Sequence, residues 1–136
     1  MVIKIIDVKE SFVDKRGKIT NILEKPITSV VIITCNKGSI RANHYHKKDS
    51  HWSYMIKGKM QYYEENNGKI EKAIVKTGQM VYSAPGVPHA MKFVETSVFL
   101  ALTTQKRLKG KYEKDTIPYE IFATLNRRIM RVYADY

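Results

Sequence analysis

The stretch Gly38 to Gly58, GSIRANHYHKKDSHWSYMIKG, carries three of the four histidines of the chain, His44, His46 and His51. The fourth, His89, closes a second stretch, Gly78 to His89, GQMVYSAPGVPH. On a β-strand, residues i and i+2 project to the same face. His44 and His46 therefore stand side by side, with Cα atoms roughly 6.5–7 Å apart on a regular strand. Two imidazoles at that spacing can converge on one ion, at metal–nitrogen distances of about 2.0–2.2 Å. Imidazole suits zinc, copper, iron and nickel.

The surroundings of these stretches read as strands. Residues 2–8 (VIKIIDV) and 19–23 are strand candidates, with Asp14 to Gly17 (DKRG) a turn between them. Residues 28–35 (TSVVIITC) form a continuous β-branched run, which suits a strand buried on both faces. Further strands are expected at about 39–46, 51–57, 59–65, 70–76, 80–83, 89–94 and 97–104. Asn66-Asn67-Gly68 is the sharpest hairpin signal, and Lys57-Gly58 is another tight turn. Short strands at this spacing predict an antiparallel sandwich or barrel. The texture changes after Thr104: residues 105–119 are charged and loop-like, and Ile121, Leu125, Ile129 and Val132 follow at helical spacing. A β-barrel over 1–108 and an extension over 109–136, loop plus short helix, is the expected organisation.

A chain of 136 residues fits one domain, and 43% hydrophobic content rich in Val, Ile and Tyr fits a soluble β-protein. Cys35 is the single cysteine, so no internal disulfide forms and a cytoplasmic home is expected. No stretch reaches the ~20 apolar residues that span a bilayer, so no membrane partner is expected. The net charge of +11 raises nucleic acid as a partner. The lysines are read instead as solvated faces, since no like-charge run reaches five residues; a field that draws in a small anion is a third reading.

The two histidine stretches together resemble the cupin family. Its first motif runs glycine, five residues, His-x-His, three or four residues, glutamate, six residues, glycine. Gly38, His44-Tyr45-His46, His51 and Gly58 keep every interval, with His51 where the family has glutamate. Its second motif runs glycine, five residues, Pro-x-Gly, two residues, histidine, three residues, asparagine. Gly78, Gly86 and His89 keep that spacing, with Ala84 for proline and Phe93 for asparagine. The resemblance implies an all-β, cupin-type double-stranded β-helix, or jelly-roll barrel. It also implies homodimers and a cavity shared by the histidines. The DxRG element (Asp14 to Gly17), SIRANHYHK and RLKGKYEKDT look similar to cupins that isomerise or epimerise keto sugars linked to nucleoside diphosphates.

Two chemistries follow. If His44, His46, His51 and His89 meet in one cavity, they can hold a divalent ion (zinc, iron, manganese or nickel) that polarises a carbonyl or water. Without an ion, His46 or His51 is the candidate base that removes a proton beside a carbonyl. Arg41, Met55, Tyr62, Met91 and Phe93 are the candidate substrate-binding residues for a small polar ligand such as a sugar nucleotide. Strict alternation from His44 turns Arg41 outward, and a bulge would turn it inward. Asp115 is read as a turn cap, or as a group entering the site from the rim. A binding module without turnover and a charge-driven nucleic-acid binder are the alternatives from other functional classes.

Overall fold

In the computed structural model, residues 2–108, 110–123 and 125 are described. Among the described residues, twelve strands and one short helix follow in chain order, before a helical stretch at 121–123. The strands are β1 (Lys4–Asp7), β2 (Phe12–Asp14), β3 (Gly17–Ile19), β4 (Ser29–Cys35), β5 (Ile40–His46), β6 (His51–Lys57), β7 (Lys59–Asn66), β8 (Lys69–Lys76), β9 (Gln79–Ser83), β10 (His89–Phe93) and β11 (Ser97–Thr103). Helix α1 (Lys111–Asp115) and strand β12 (Thr116–Pro118) complete the set.

Two five-stranded antiparallel sheets pack face to face, in the orders β1-β9-β6-β11-β4 and β12-β5-β10-β7-β8, and β2-β3 is a separate hairpin. This is the antiparallel sandwich expected from the strand pattern, in the jelly-roll form that the family resemblance implies. Apart from the β7–β8 hairpin, the chain from β5 to β12 switches sheets at each strand, so inward-facing residues of both sheets meet in one interior. β6 shows the alternation plainly: His51, Ser53 and Met55 are buried, while Trp52 and Tyr54 are half-buried on the outer face. Asn67 and Gly68, both with positive φ (51° and 75°), make the β7–β8 turn that Asn-Gly signals.

The interior is chemically divided. Met55, Met60, Val75, Phe93 and Phe99 fill one end, with the rings of Phe93 and Phe99 stacked at 5.7 Å. The histidines lie at strand ends elsewhere, where His89 pairs with His44 on one side and Glu64 on the other, and His51 pairs with Thr103.

Three expectations change. The strand at 19–23 is absent; the Asp14 to Gly17 turn instead closes the β2–β3 hairpin, with Asp14 accepting the Arg16 amide at 2.9 Å. β4, an edge strand, is buried on one face only, as central β6 is, because the facing sheet covers only the inner side: Val30 and Ile32 are 60% and 68% exposed. β1 lies at the opposite edge, paired with β9 of its own chain. The segment 105–119 is not all loop, since α1 forms and β12 adds an edge strand to β5. Residues 121–123 and 125 of the expected tail helix are helical; its other positions, with Arg127, Arg128, Ile129, Arg131 and Val132, lie outside the described residues. Among the described residues, no helix is long and apolar enough to cross a membrane.

One turn tolerates no side chain. Gly58 sits at φ 108°, and a Cβ there would lie 2.1 Å from Ser97 Oγ and 2.8 Å from Ser97 Cα. Gly58→Ala is expected to cost about 2–4 kcal/mol through backbone strain and overpacking. A urea midpoint unchanged from wild type would contradict this close approach.

Candidate functional site

The site begins with an irregularity in β5. Ala42 and Asn43 both take positive φ (65° and 57°), and the β5–β10 register slips between His89↔His44 and Ala90↔Ala42. One extra residue reverses the facing of everything before it. Arg41 therefore faces the mouth of the cavity, still exposed, where Nε approaches Cys35 Sγ at 3.2 Å and Nη2 donates to the Thr34 carbonyl at 2.9 Å. Arg41 lines a cavity of about 260 Å³ together with His44, His51, His89, Met91, Arg107 and Tyr112.

The four rings are close. Centroid separations are 4.5 Å for His44–His46, 5.0 Å for His44–His89 and 4.2 Å for the stacked His46–His51 pair. Ligand nitrogens of His44, His46 and His89 lie within 4.8 Å of one another; His51 groups with His46 and Asp49.

Hydrogen bonds fix which nitrogen carries each proton. His89 Nδ1 lies 3.1 Å from the Val87 carbonyl, which can only accept, so Nδ1 donates and Nε2 keeps its lone pair. His46 Nδ1 lies 3.3 Å from Thr116 Oγ1, whose own proton goes to the Tyr112 carbonyl at 2.8 Å. His46 Nδ1 must then be the donor, and its Nε2 lone pair is buried with no hydrogen-bond partner. His51 Nε2 donates to Asp49 Oδ2 at 2.7 Å, which leaves Nδ1 as its acceptor nitrogen.

Burial holds His44 and His46 at a pKa of about 3, helped by repulsion from the other imidazoles, and holds His89 at about 4. These rings are neutral at pH 7. Asp49 behaves oppositely. Burial pushes its carboxyl up, but bonds from His51, Thr104 and Gln105 outweigh this and hold it below the usual value.

The donor set fits a divalent cation. His44, His46 and His89 are neutral, and the buried, unpartnered Nε2 of His46 is the atom a cation would satisfy.

Met91 and Arg41 line the cavity as candidate substrate-binding residues. Met55, Tyr62 and Phe93 are wholly buried behind it, in the apolar core. Tyr62 donates to Glu64 at 2.9 Å and meets Ser83 at 2.8 Å, so its hydroxyl is committed there. Asp115 is not a turn cap: its carboxylate accepts the amides of Lys48 (2.9 Å) and Asp49 (3.2 Å), and lies 3.8 Å from His46 Nδ1. Sequence reasoning missed Asp49, Arg107, Tyr112 and Thr116. Asp49, two residues before His51, was the one legible signal, since a strand-entry carboxylate can reach a histidine at i+2.

A family model described as Cupin matches residues 19–125. Among solved structures, the chain is similar to the QdtA 3,4-ketoisomerase from Thermoanaerobacterium thermosaccharolyticum, in complex with TDP. That likeness is 26% identity over 85% of this chain and 86% of that one, with a TM-score of 0.69. It shares its fold with the TDP-fucose-3,4-ketoisomerase of Campylobacter jejuni (18% identity, 86% and 89% covered, TM-score 0.72). The same holds for dTDP-4-dehydrorhamnose 3,5-epimerase from Sulfolobus tokodaii (18%, 82% and 80%, TM-score 0.63). No curated protein sequence matches the chain.

The depressed histidine values set a pH dependence. An unfolded histidine takes up a proton near 6.5, whereas folded His44, His46 and His89 resist until about 3 to 4. The unfolded state binds more protons in this window, so stability is full above pH 6.5 and falls as pH drops through it. His89 alone contributes about 3 kcal/mol between pH 7 and 4. In chelator-treated protein, the urea midpoint should fall between pH 7 and pH 4.5, and His89→Asn should flatten that slope.

Proposed function

The chain belongs to the cupin family, and we propose that it isomerises a nucleotide-linked keto sugar by moving a carbonyl between adjacent ring carbons. The observation that carries this reading is His51, held by the buried carboxylate of Asp49 behind it, in the wall of a cavity that His44, His89, Arg41, Arg107 and Tyr112 also line. The likeness to a sugar 3,4-ketoisomerase supports it.

Moving a carbonyl from C4 to C3 removes the C3 proton and the O3 hydroxyl proton, and returns one proton to C4 and one to O4. The composition of the sugar is unchanged. The C3 proton is acidic because it lies beside the carbonyl. His51 Nδ1 is the base that accepts it, and Asp49 stabilises the imidazolium that forms. The same nitrogen, once its proton has exchanged with solvent, delivers one to C4. His46, stacked on His51 at 4.2 Å, is the second candidate for this exchange. Arg107 lies over the Tyr112 ring at 4.2 Å and supplies fixed positive charge to the enediolate oxygens. A divalent cation would be held by His44, His46 and His89, and when bound supplies Lewis-acid polarisation of the carbonyl.

TDP-4-keto-6-deoxyglucose is the first substrate to try, in D₂O with NMR detection. Carbonyl migration with deuterium entering at C4 is expected, and His51→Asn should slow it about 100–10,000-fold. Ligand-induced stabilisation without any deuterium incorporation would replace this reading with a binding module. Chelation followed by zinc, manganese or nickel restoration measures what a cation adds.

We further propose that the protein acts as a homodimer. Ile32, Leu100 and Tyr54 form one row across the outer face of the first sheet, beside exposed Val30 and Ile56. An apolar face of this kind is covered in stable assemblies. Sedimentation should give a dimer, and Ile32→Asp a monomer; a monomeric wild type at micromolar concentration would refute it.

A further inference from the structure

A second cavity, of about 620 Å³, lies between the β5–β6 loop, the segment after β11, and α1. Five lysines line it: Lys47, Lys48, Lys106, Lys111 and Lys114. Among the described residues that line it, the acidic ones are Asp49 and Asp115, and both are already engaged. Asp49 is filled by His51, Thr104 and Gln105, and Asp115 takes the Lys48 and Asp49 amides. Among the described residues, none of the five lysines pairs with a carboxylate.

Gathering five cations around one hollow adds repulsion and no packing. A concave surface of one sign focuses the field and concentrates counter-ions. Lysine is a mobile point charge with three donors, suited to a group with several anionic oxygens in no fixed plane. Thr28, Gln105 and Tyr112 add neutral polar groups to the same lining. The volume falls within the roughly 300–1,000 Å³ of small-molecule sites, whereas a nucleic-acid backbone is tracked by an extended basic stripe. We propose that this cleft is a second binding site, selective for a diphosphate group. It requires nothing of the histidine cavity and stands whether or not that cavity isomerises sugars.

Calorimetric titration of inorganic pyrophosphate into the full chain, at low salt, tests this. One-to-one binding is expected, weaker with added salt and at least tenfold weaker in Lys47→Gln/Lys111→Gln. Lys106→Gln/Lys114→Gln should weaken it likewise, and both pairs are exposed and should leave the melting temperature near wild type. His44→Asn should leave binding intact. Thymidine diphosphate binding more tightly through the same lysines would identify a nucleotide as the source of the group; equal affinity would identify a free diphosphate. Absence of saturable binding overturns the proposal. So does binding that survives both lysine variants but is lost in Arg107→Gln, and so does tighter binding of single-stranded RNA through the same lysines.

Discussion

The buried carboxylate of Asp49 holds the site together. A carboxylate taken out of water is costly unless its oxygens are satisfied. Here Oδ1 accepts the Thr104 amide, the Thr104 hydroxyl and the Gln105 amide at 2.9–3.0 Å, and Oδ2 accepts His51 at 2.7 Å. Its own amide donates to Asp115. Asp49 sits in the loop where the chain leaves one sheet at β5 and enters the other at β6. Those bonds therefore fix how the two sheets meet at their polar end. His46 ends one strand, His51 begins the next, and their rings stack across the junction. The same charge that locks the junction orients the imidazole beside it.

The apolar end of the interior makes this arrangement chemically useful. Met55, Met60, Phe93 and Phe99 fill their end completely, and Met91 carries that lining into the cavity wall. With little water around them, imidazoles resist protonation, which is why His44, His46 and His89 sit far below their ordinary value. Neutral rings present lone pairs, and lone pairs are what a cation or a substrate proton requires. Ser53 Oγ is buried without a hydrogen-bond partner close by in the sequence of inward-facing positions, another polar atom of the interior left for a ligand to satisfy.

The sequence was most legible where one residue type serves both fold and site. His44, His46, His51 and His89 are spaced by strand geometry, so their convergence could be read from the two glycine-bounded motifs. Most strands were legible for the same reason, since period-two burial and Asn-Gly turns are local signals. Arg41 marks the limit. Its facing depended on whether β5 is regular, and neither Ala42 nor Asn43 advertises the positive φ that they adopt. The burial of β4 was misread because a continuous β-branched run looks alike in a strand covered on both faces and in a sandwich strand covered on one. Met55, Tyr62 and Phe93 have inward parity, as expected, but parity cannot say how deep along the barrel a side chain sits.

The tail shows why long-range chemistry escapes a local reading. Residues 105–118 look like charged loop because their role lies in what they touch. β12 pairs Thr116 with His46 and Pro118 with His44, so the tail becomes an edge strand of the sheet that carries His44, His46 and His89. Thr116 then acts through a single proton. Its hydroxyl has one hydrogen, given to the Tyr112 carbonyl inside the tail, so toward His46 it can only accept. That forces the His46 proton onto Nδ1 and leaves the Nε2 lone pair for the interior. A backbone carbonyl some four residues away thereby sets the tautomer of an imidazole seventy positions earlier in the chain. With Asp115 bracing the β5–β6 loop and Tyr112 lining the cavity, the residues after the barrel are structural members of the site rather than an appendage to it.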